Sequence, residues 1–71
     1  MVIIVRKEDR VVTWALDVDI KDISFTEKNT TLPDLIILDM NTTTADIYEI
    51  DSIPDDFEGG KYKYIDNRFE L

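Results

Sequence analysis

The residues of this chain whose types and spacing could do chemistry are carboxylates. The stretch DVDIKD places Asp17, Asp19 and Asp22 close together, which suggests a calcium loop. The EF-hand pattern, however, requires a glycine at its sixth position and a distal glutamate, and neither is present here. We therefore interpret these acids as the solvent face of a strand and expect no metal site.

A second group of acids occurs in DSIPDDFEGG. It consists of Asp51, Asp55, Asp56 and Glu58. The simplest interpretation is a solvated acidic turn, and the functional interpretation is a binding segment for a basic partner. Paired carboxylates also hydrolyse glycosides, but a β domain of 71 residues has little room for a sugar-sized cleft. These four residues are our candidate partner-binding site.

The side chains needed for most other catalytic chemistry are absent. The chain contains no cysteine and no histidine, so it can form no disulfide, thiol nucleophile or imidazole acid–base pair, and no zinc site. No nucleophile–base pair, phosphate loop or nucleotide motif is recognisable. The two matches to N-x-[ST], at Asn29 and Asn41, are interpreted as polar loops. We predict that the protein is not an enzyme and uses no cofactor.

The charge is negative and unevenly distributed. The net charge is −8, and residues 29–60 hold eight acids and no base. Contacts to phosphates require clustered lysine and arginine, so we expect no direct binding to nucleic acid and none to an anionic membrane surface. Because no signal peptide or apolar membrane span is recognisable, we expect the chain to act in the compartment where it is made.

The length predicts one domain, residues 1–71, and a small core. A core of this size rarely supplies more than about 3–5 kcal/mol, and neither disulfides nor metal are available to add stability. Oligomerisation is one of the few remaining sources of stability. We therefore expect a homo-oligomer.

The side-chain pattern predicts a mainly β fold, a small antiparallel sheet or meander of hairpins. Apolar residues alternate with period 2, and no helical period is sustained. In VIIVRKEDRVVTWAL, a two-residue turn at Glu8-Asp9 pairs Val5 with Val12 and Ile3 with Trp14. A loop one or two residues longer is the alternative, because neither Glu8 nor Asp9 is the glycine that such a turn favours. This register predicts one apolar face, with Trp14 in the core. Its members are Ile3, Val5, Val12, Trp14 and Leu16.

The middle of the chain is less regular. The alternation changes phase between Ile20 and Ile23, which predicts a bulge or turn at Lys21-Asp22. After a loop around Asn29, the run LIILDM favours a strand at Leu35–Met40, although Pro33 near its start leaves a short helix over residues 32–40 as the alternative. A loop at Asn41–Thr44, a strand at Ala45–Ile50 and a connector rich in proline and glycine complete this part.

The last eleven residues, KYKYIDNRFEL, hold three of the seven aromatic residues. A two-residue turn at Asp66-Asn67 pairs Tyr64 with Phe69, and Asp and Asn tolerate the positive φ of a type I′ turn. The prediction is a hairpin over residues 61–71 that packs on the domain or on a neighbouring subunit. Its candidate self-association face consists of Tyr62, Tyr64, Phe69 and Leu71.

The stretch SIPDDFEGGKYKYIDNRFEL resembles the carboxy-terminal part of small tail-associated proteins of phages and prophages of Gram-positive bacteria. Those proteins show an Ile/Val-Pro-acidic-acidic segment, then Tyr-x-Tyr, a two-residue turn and a final Phe. The family turn usually ends in Gly, where this chain has Asn67. The matching residues are Ile53, Pro54, Asp55, Asp56, Phe57, Lys61, Tyr62, Lys63, Tyr64, Asp66 and Phe69.

The resemblance implies a minor structural or assembly protein of the phage tail or baseplate, with other tail proteins as partners and no catalysis. It would be found in the host bacterial cytoplasm during assembly, or in the tail of the virion. The base-free half of the chain supports a different hypothesis, an acidic inhibitor that imitates DNA and blocks a host DNA-binding enzyme. Residues i and i+2 of a strand lie about 6.6 Å apart, a loose match to phosphates about 3.4 Å apart along a DNA strand.

Overall fold

The computed structural model describes residues 1–71 as a mainly β protein with eight strands and one 3-10 turn at Ile20–Asp22. All strand pairs are antiparallel, as predicted. No helix is long and apolar enough to cross a membrane. The strands are β1 (Val2–Arg6), β2 (Val12–Leu16), β3 (Ser24–Phe25), β4 (Thr30–Leu32), β5 (Leu35–Ile37), β6 (Ala45–Glu49), β7 (Lys63–Ile65) and β8 (Arg68–Glu70).

The first sheet has the order β2-β1-β6, and its central strand is covered on both faces. The side chains from Val2 to Val5 are completely buried. Such a strand has no solvent face, which explains why VIIV is an uninterrupted apolar run rather than an alternating one. Strand β6 follows the predicted Ala45–Ile50 closely and ends one residue earlier.

The register of the first hairpin is only partly as predicted. Val5 pairs with Val12 as predicted, and the connection is the longer alternative, a four-residue loop over 7–10. A hydrogen bond from the Arg10 amide to the Arg6 carbonyl (2.8 Å) closes it. Arg10 adopts a positive φ of 63°. The Arg6 guanidinium contributes two hydrogen bonds to Asp9, at 3.0 and 2.7 Å, so side chains hold a loop in which no glycine is present.

The predicted pairing of Ile3 with Trp14 is wrong because Thr13 is an extra residue in β2. Ile4, not Ile3, lies opposite Trp14, and the register shifts between Ile4 and Val5. The Thr13 hydroxyl donates a hydrogen bond to the Ile4 carbonyl (3.2 Å). One extra residue sends the following side chains to the opposite face. Trp14 therefore leaves the predicted apolar face, and it is 37% exposed rather than in the core.

The second sheet has the order β3-β4-β5 and explains the middle of the chain. Pro33-Asp34 forms a tight turn between β4 and β5, so the helix alternative for residues 32–40 is wrong and the strand prediction is right in type. The strand is shorter than predicted, and the preceding strand Thr30–Leu32 was missed. The Thr30 hydroxyl donates a buried hydrogen bond to the Met40 carbonyl (2.7 Å), which holds the chain after β5 against β4.

The predicted turn at Lys21-Asp22 is confirmed as the 3-10 turn.

The terminal hairpin β7-β8 has the predicted turn. Ile65, Tyr64 and Lys63 pair with Arg68, Phe69 and Glu70, and both turn residues have positive φ, 54° for Asp66 and 64° for Asn67. The predicted fourth pair, between Tyr62 and Leu71, lies beyond the strands.

The hairpin packs on its own domain, the first of the two predicted alternatives. The amide of Val12 donates to the carbonyl of Tyr62 (2.8 Å), and the amide of Tyr64 donates to that of Arg10 (2.9 Å). The C-terminal segment therefore covers the start of the outer edge of β2, at Val12.

Two apolar clusters lie on opposite sides of the first sheet. Ile4 and Ala45 pack with residues of the second sheet, whereas Ile3, Val5 and Val12 pack with Tyr64 of the terminal hairpin. The fold is thus layered, with β1 in the middle. Only 11 of the 71 residues are buried, which agrees with the small core that the length predicts.

Candidate functional site

The aromatic residues of the terminal hairpin form a cluster within the chain. The Tyr64 ring lies 5.1 Å from that of Tyr48 and 5.2 Å from that of Phe69. Phe69 also meets Tyr62 and Phe57 edge to face, at 6.0 and 6.4 Å. Of the four candidate self-association residues, Tyr64 is buried, Tyr62 and Phe69 are half-buried, and Leu71 is 83% exposed. Most of this face therefore covers the protein's own first sheet.

Of the four acidic residues in the candidate partner-binding segment, one forms contacts within the chain and three form no salt bridge. Asp56 forms an ion pair with Lys61 (2.9 Å) and accepts a hydrogen bond from the Tyr62 hydroxyl (2.5 Å). The hydrogen bond from Tyr62, followed by that from Lys61, lowers the pKa of Asp56, and the same contacts raise the pKa of Tyr62 and of Lys61. Asp56 therefore ties the connector to the hairpin. The other three candidate residues, Asp51, Asp55 and Glu58, are exposed and form no salt bridge.

Sequence reasoning missed a cluster around Arg10. Its guanidinium donates to Asp46 (3.1 Å), to the Tyr48 hydroxyl (2.8 Å) and to the Tyr64 carbonyl (3.2 Å). Lys7 also contacts Asp46, at 3.2 Å. These groups lie up to 54 positions apart in the chain, so no local sequence motif indicates the cluster. The hydrogen bonds that Arg10 donates join the first hairpin to β6 and β7. The cluster therefore has a structural role.

Two clefts open on the surface. One, of about 520 Å³, lies between the first loop and the chain around Asp39, and its walls carry Arg6, Lys7 and Glu8. The other, of about 370 Å³, lies at the end of β6, with residues 49–52 on one side and Tyr64, Asn67 and Phe69 on the other. No group of three or more acidic side chains is placed to hold a metal ion, and Asp17, Asp19 and Asp22 form no such group.

The second sheet exposes aliphatic side chains at its edge. Leu35, Ile36 and the following Leu38 are 42%, 56% and 74% exposed, and β5 pairs only with β4. The two-residue turn makes Leu32–Leu35 a hydrogen-bonded pair, so the N–H and C=O groups of Ile36 point away from β4. The outer edge of β5 therefore combines free backbone groups with apolar surface.

The comparisons with known proteins add no relatives. No protein-family model matches the chain, and neither a curated protein nor a solved structure matches it.

Proposed function

We propose that this chain is a non-catalytic structural or assembly protein of a phage or prophage tail or baseplate, acting as a homo-oligomeric β module together with other tail proteins. The observation that carries the proposal is the outer edge of β5, where free backbone groups lie beside the exposed Leu35, Ile36 and Leu38. Apolar edge strands are templates for pairing with another chain. The proposed place of action is the bacterial cytoplasm during assembly, or the virion tail.

Two copies can pair through this edge without opposing like charges. In an antiparallel pair centred on Ile36, each Ile36 faces its counterpart and Leu35 faces Ile37. Side chains alternate between the two faces of a strand, so the two Ile36 side chains meet on one face and Leu35 meets Ile37 on the other. No acid lies within the paired strands.

The size of the surface predicts weak association. Three partly exposed aliphatic side chains offer on the order of 300 Å², the size of the largest apolar patch on a typical monomer. A stable specific interface buries about 800 Å² on each partner. Isolated copies should therefore associate only at high concentration, and a stable ring would require other tail proteins to hold the copies together.

We propose the β5 edge rather than the terminal hairpin as the contact between copies. Tyr64 and Phe69 already contact their own chain, so of the original face only Leu71 is fully available. The acidic segment remains the proposed contact for a basic partner, through Asp51, Asp55 and Glu58 rather than Asp56.

Light scattering coupled to size-exclusion chromatography tests the self-association. We expect the mean mass of the wild type to rise with concentration above about 100 μM and that of Ile36→Lys to stay monomeric. Ile20→Lys is the matched control, because Ile20 is comparably exposed at 38% but lies in the 3-10 turn away from this edge. A mass that stays monomeric for the wild type, or that falls equally for both variants, contradicts the proposal. Mass spectrometry of particles released by prophage induction tests the assignment to a tail.

The alternative, a DNA-mimicking inhibitor, is favoured by one observation. Of the eight acids in residues 29–60, Asp46 and Asp56 form salt bridges, and the remaining six are exposed and form none. A pull-down from host lysate separates the two proposals. A salt-sensitive complex with a DNA-binding enzyme, displaced by duplex DNA, supports mimicry, whereas recovery of tail proteins supports assembly.

A further inference from the structure

We propose that the outer edge of β6 and the cleft at its end bind an extended basic segment of a partner protein, which adds as a strand to the first sheet. This inference rests on the proposed assembly role and names the chemistry of one partner. It concerns a different edge from the one proposed for self-association.

The backbone of β6 is free on its outer side. The Lys7 amide donates to the Thr44 carbonyl (2.8 Å), and the Ile50 amide donates to the Met1 carbonyl (2.9 Å), so every second residue from 44 to 50 bonds to β1. In an antiparallel pair the intervening residues point the other way. The N–H and C=O groups of Ile47 and Glu49 therefore face outward, and β6 pairs with no strand but β1.

This edge lacks most of the features by which proteins block strand addition. Strand β6 has five residues, contains no proline and no lysine, and runs against β1 without a register shift. The opposite edge of the same sheet is covered at Val12, the first residue of β2, by the chain from Gly60 to Tyr62. The first sheet thus has one edge that its own chain partly covers and one open edge.

The negative charge beside the open edge of β6 favours a basic partner segment. Glu49 and Asp51 are exposed, form no salt bridge and lie within the base-free stretch of residues 29–60. A second copy that presented its own Glu49 and Asp51 at this edge is repelled, whereas a segment carrying lysine or arginine is attracted. In an extended segment, alternate side chains lie on one face, so basic residues two positions apart meet both carboxylates.

The cleft supplies a pocket for one of these basic side chains. It is lined by Glu49 and Asp51 together with the half-buried Phe69 and the buried Tyr64. The two carboxylates attract an ammonium or guanidinium group, and the half-buried aromatic side chain of Phe69 adds apolar surface for the aliphatic stem of a lysine or arginine. Its volume of about 370 Å³ is near the lower end of known ligand pockets. Strand addition takes its affinity from main-chain hydrogen bonds and its specificity from such side-chain pockets.

The test is a titration of the full-length protein with four synthetic peptides, monitored by fluorescence anisotropy. The first peptide has the sequence Thr-Lys-Val-Lys-Val-Lys-Thr. The second has glutamate in place of lysine. The third and fourth are methylated versions of the lysine peptide, with N-methyl groups on alternate amides. The methyl groups lie on one edge of the strand in the third peptide and on the other edge in the fourth. Methylation leaves the charge unchanged and removes the hydrogen-bond donors of one edge only.

We expect the lysine peptide to bind, the glutamate peptide not to bind, and one of the two methylated versions to lose most of the affinity. The double substitution Glu49→Gln, Asp51→Asn should weaken the lysine peptide about tenfold, since two exposed ion pairs are lost. The matched control is Asp34→Asn, Asp39→Asn, which changes the net charge equally at the other sheet and should weaken binding less than twofold.

Equal affinity for both methylated versions and the unmodified peptide would overturn strand addition. If the control double variant loses as much affinity as Glu49→Gln, Asp51→Asn, the peptide is bound by general charge attraction and the inference is wrong. The inference is also wrong if the lysine peptide does not bind at all. Because Ile36→Lys blocks only the β5 edge, it should bind the lysine peptide like the wild type. A failure of self-association is therefore distinguishable from a failure of this inference.

Discussion

Replacement of Tyr64 by alanine distinguishes the two roles that the terminal hairpin could play. Tyr64 is only 7% exposed and packs with Ile3, Val5 and Val12 of the first sheet. Its ring also contacts two other aromatic rings, those of Tyr48 and Phe69. If these contacts hold the monomer together, their loss must appear in the free energy of unfolding and not only in the oligomeric state.

The expected loss is large relative to the total stability. Truncation of a buried aromatic side chain to alanine costs about 3–5 kcal/mol. A domain of this size has about 3–5 kcal/mol in all. Tyr64→Ala should therefore be largely unfolded at 25 °C, whereas Leu71→Ala, at an 83% exposed position, should change the stability by less than about 0.5 kcal/mol.

Urea unfolding followed by circular dichroism measures the effect. Tyr64→Phe is the conservative control, because the Tyr64 hydroxyl forms no hydrogen bond and the ring contacts are retained, so its transition midpoint should stay close to that of the wild type. The reasoning is refuted if Tyr64→Ala keeps the wild-type midpoint at low concentration and alters only the mass in solution. That result would indicate that the terminal hairpin contacts a second copy of the chain rather than its own first sheet.

Three further predictions concern the loops. Gly59→Ala should destabilise the fold by about 1–3 kcal/mol in urea unfolding, because a Cβ at Gly59 would lie 2.8 Å from the Thr13 carbonyl oxygen. Arg10→Met, which keeps the aliphatic stem, should cost about 1–3 kcal/mol by the same assay, because three hydrogen bonds to other segments are lost. The hydrogen bond from Arg6 lowers the pKa of Asp9 from 3.8 to about 2. Since the folded-state pKa lies below the unfolded one, this contribution is present above pH 3.8 and is lost as the pH falls through about 2. The difference in midpoint between the wild type and Asp9→Asn should be constant above about pH 5 and shrink between pH 4 and 2.

Each of these has an outcome that contradicts it. A Gly59→Ala variant as stable as the wild type would argue against the close approach of Gly59 to the Thr13 carbonyl. An Arg10→Met variant as stable as the wild type would show that the cluster is incidental. A pH-independent difference for Asp9→Asn would show that the ion pair with Arg6 does not form in solution.

Local chemistry was enough to predict the terminal hairpin. Asp66 and Asn67 are among the few residues that accept positive φ, and the charges and rings on either side of them match across the turn. The turn at Lys21-Asp22 was also predictable, because a change of phase within an apolar alternation requires an irregularity in the chain. In both cases the interacting residues are close in sequence.

Longer-range features were not predictable in the same way. Nothing in VVTWAL marks Thr13 as an extra residue, because the bulge is visible only in the register of β2 against β1. The helix alternative for residues 32–40 remained open until the pairing of β4 with β5 excluded it, since a short apolar run is compatible with either element. The contacts of Arg10 likewise join segments with no common motif.

The sequence by itself determined the class of this protein: antiparallel β structure, a small core, an acidic surface without cysteine or histidine, and the terminal hairpin with its turn. Each of these depends on composition or on residues a few positions apart. Only the tertiary structure decided that Tyr64 lies inside the protein, that Leu35, Ile36 and Leu38 lie on an open edge, and that β6 leaves one side unpaired. These features depend on which strands become neighbours, and strand neighbours are chosen by the packing of the whole chain rather than by any single segment.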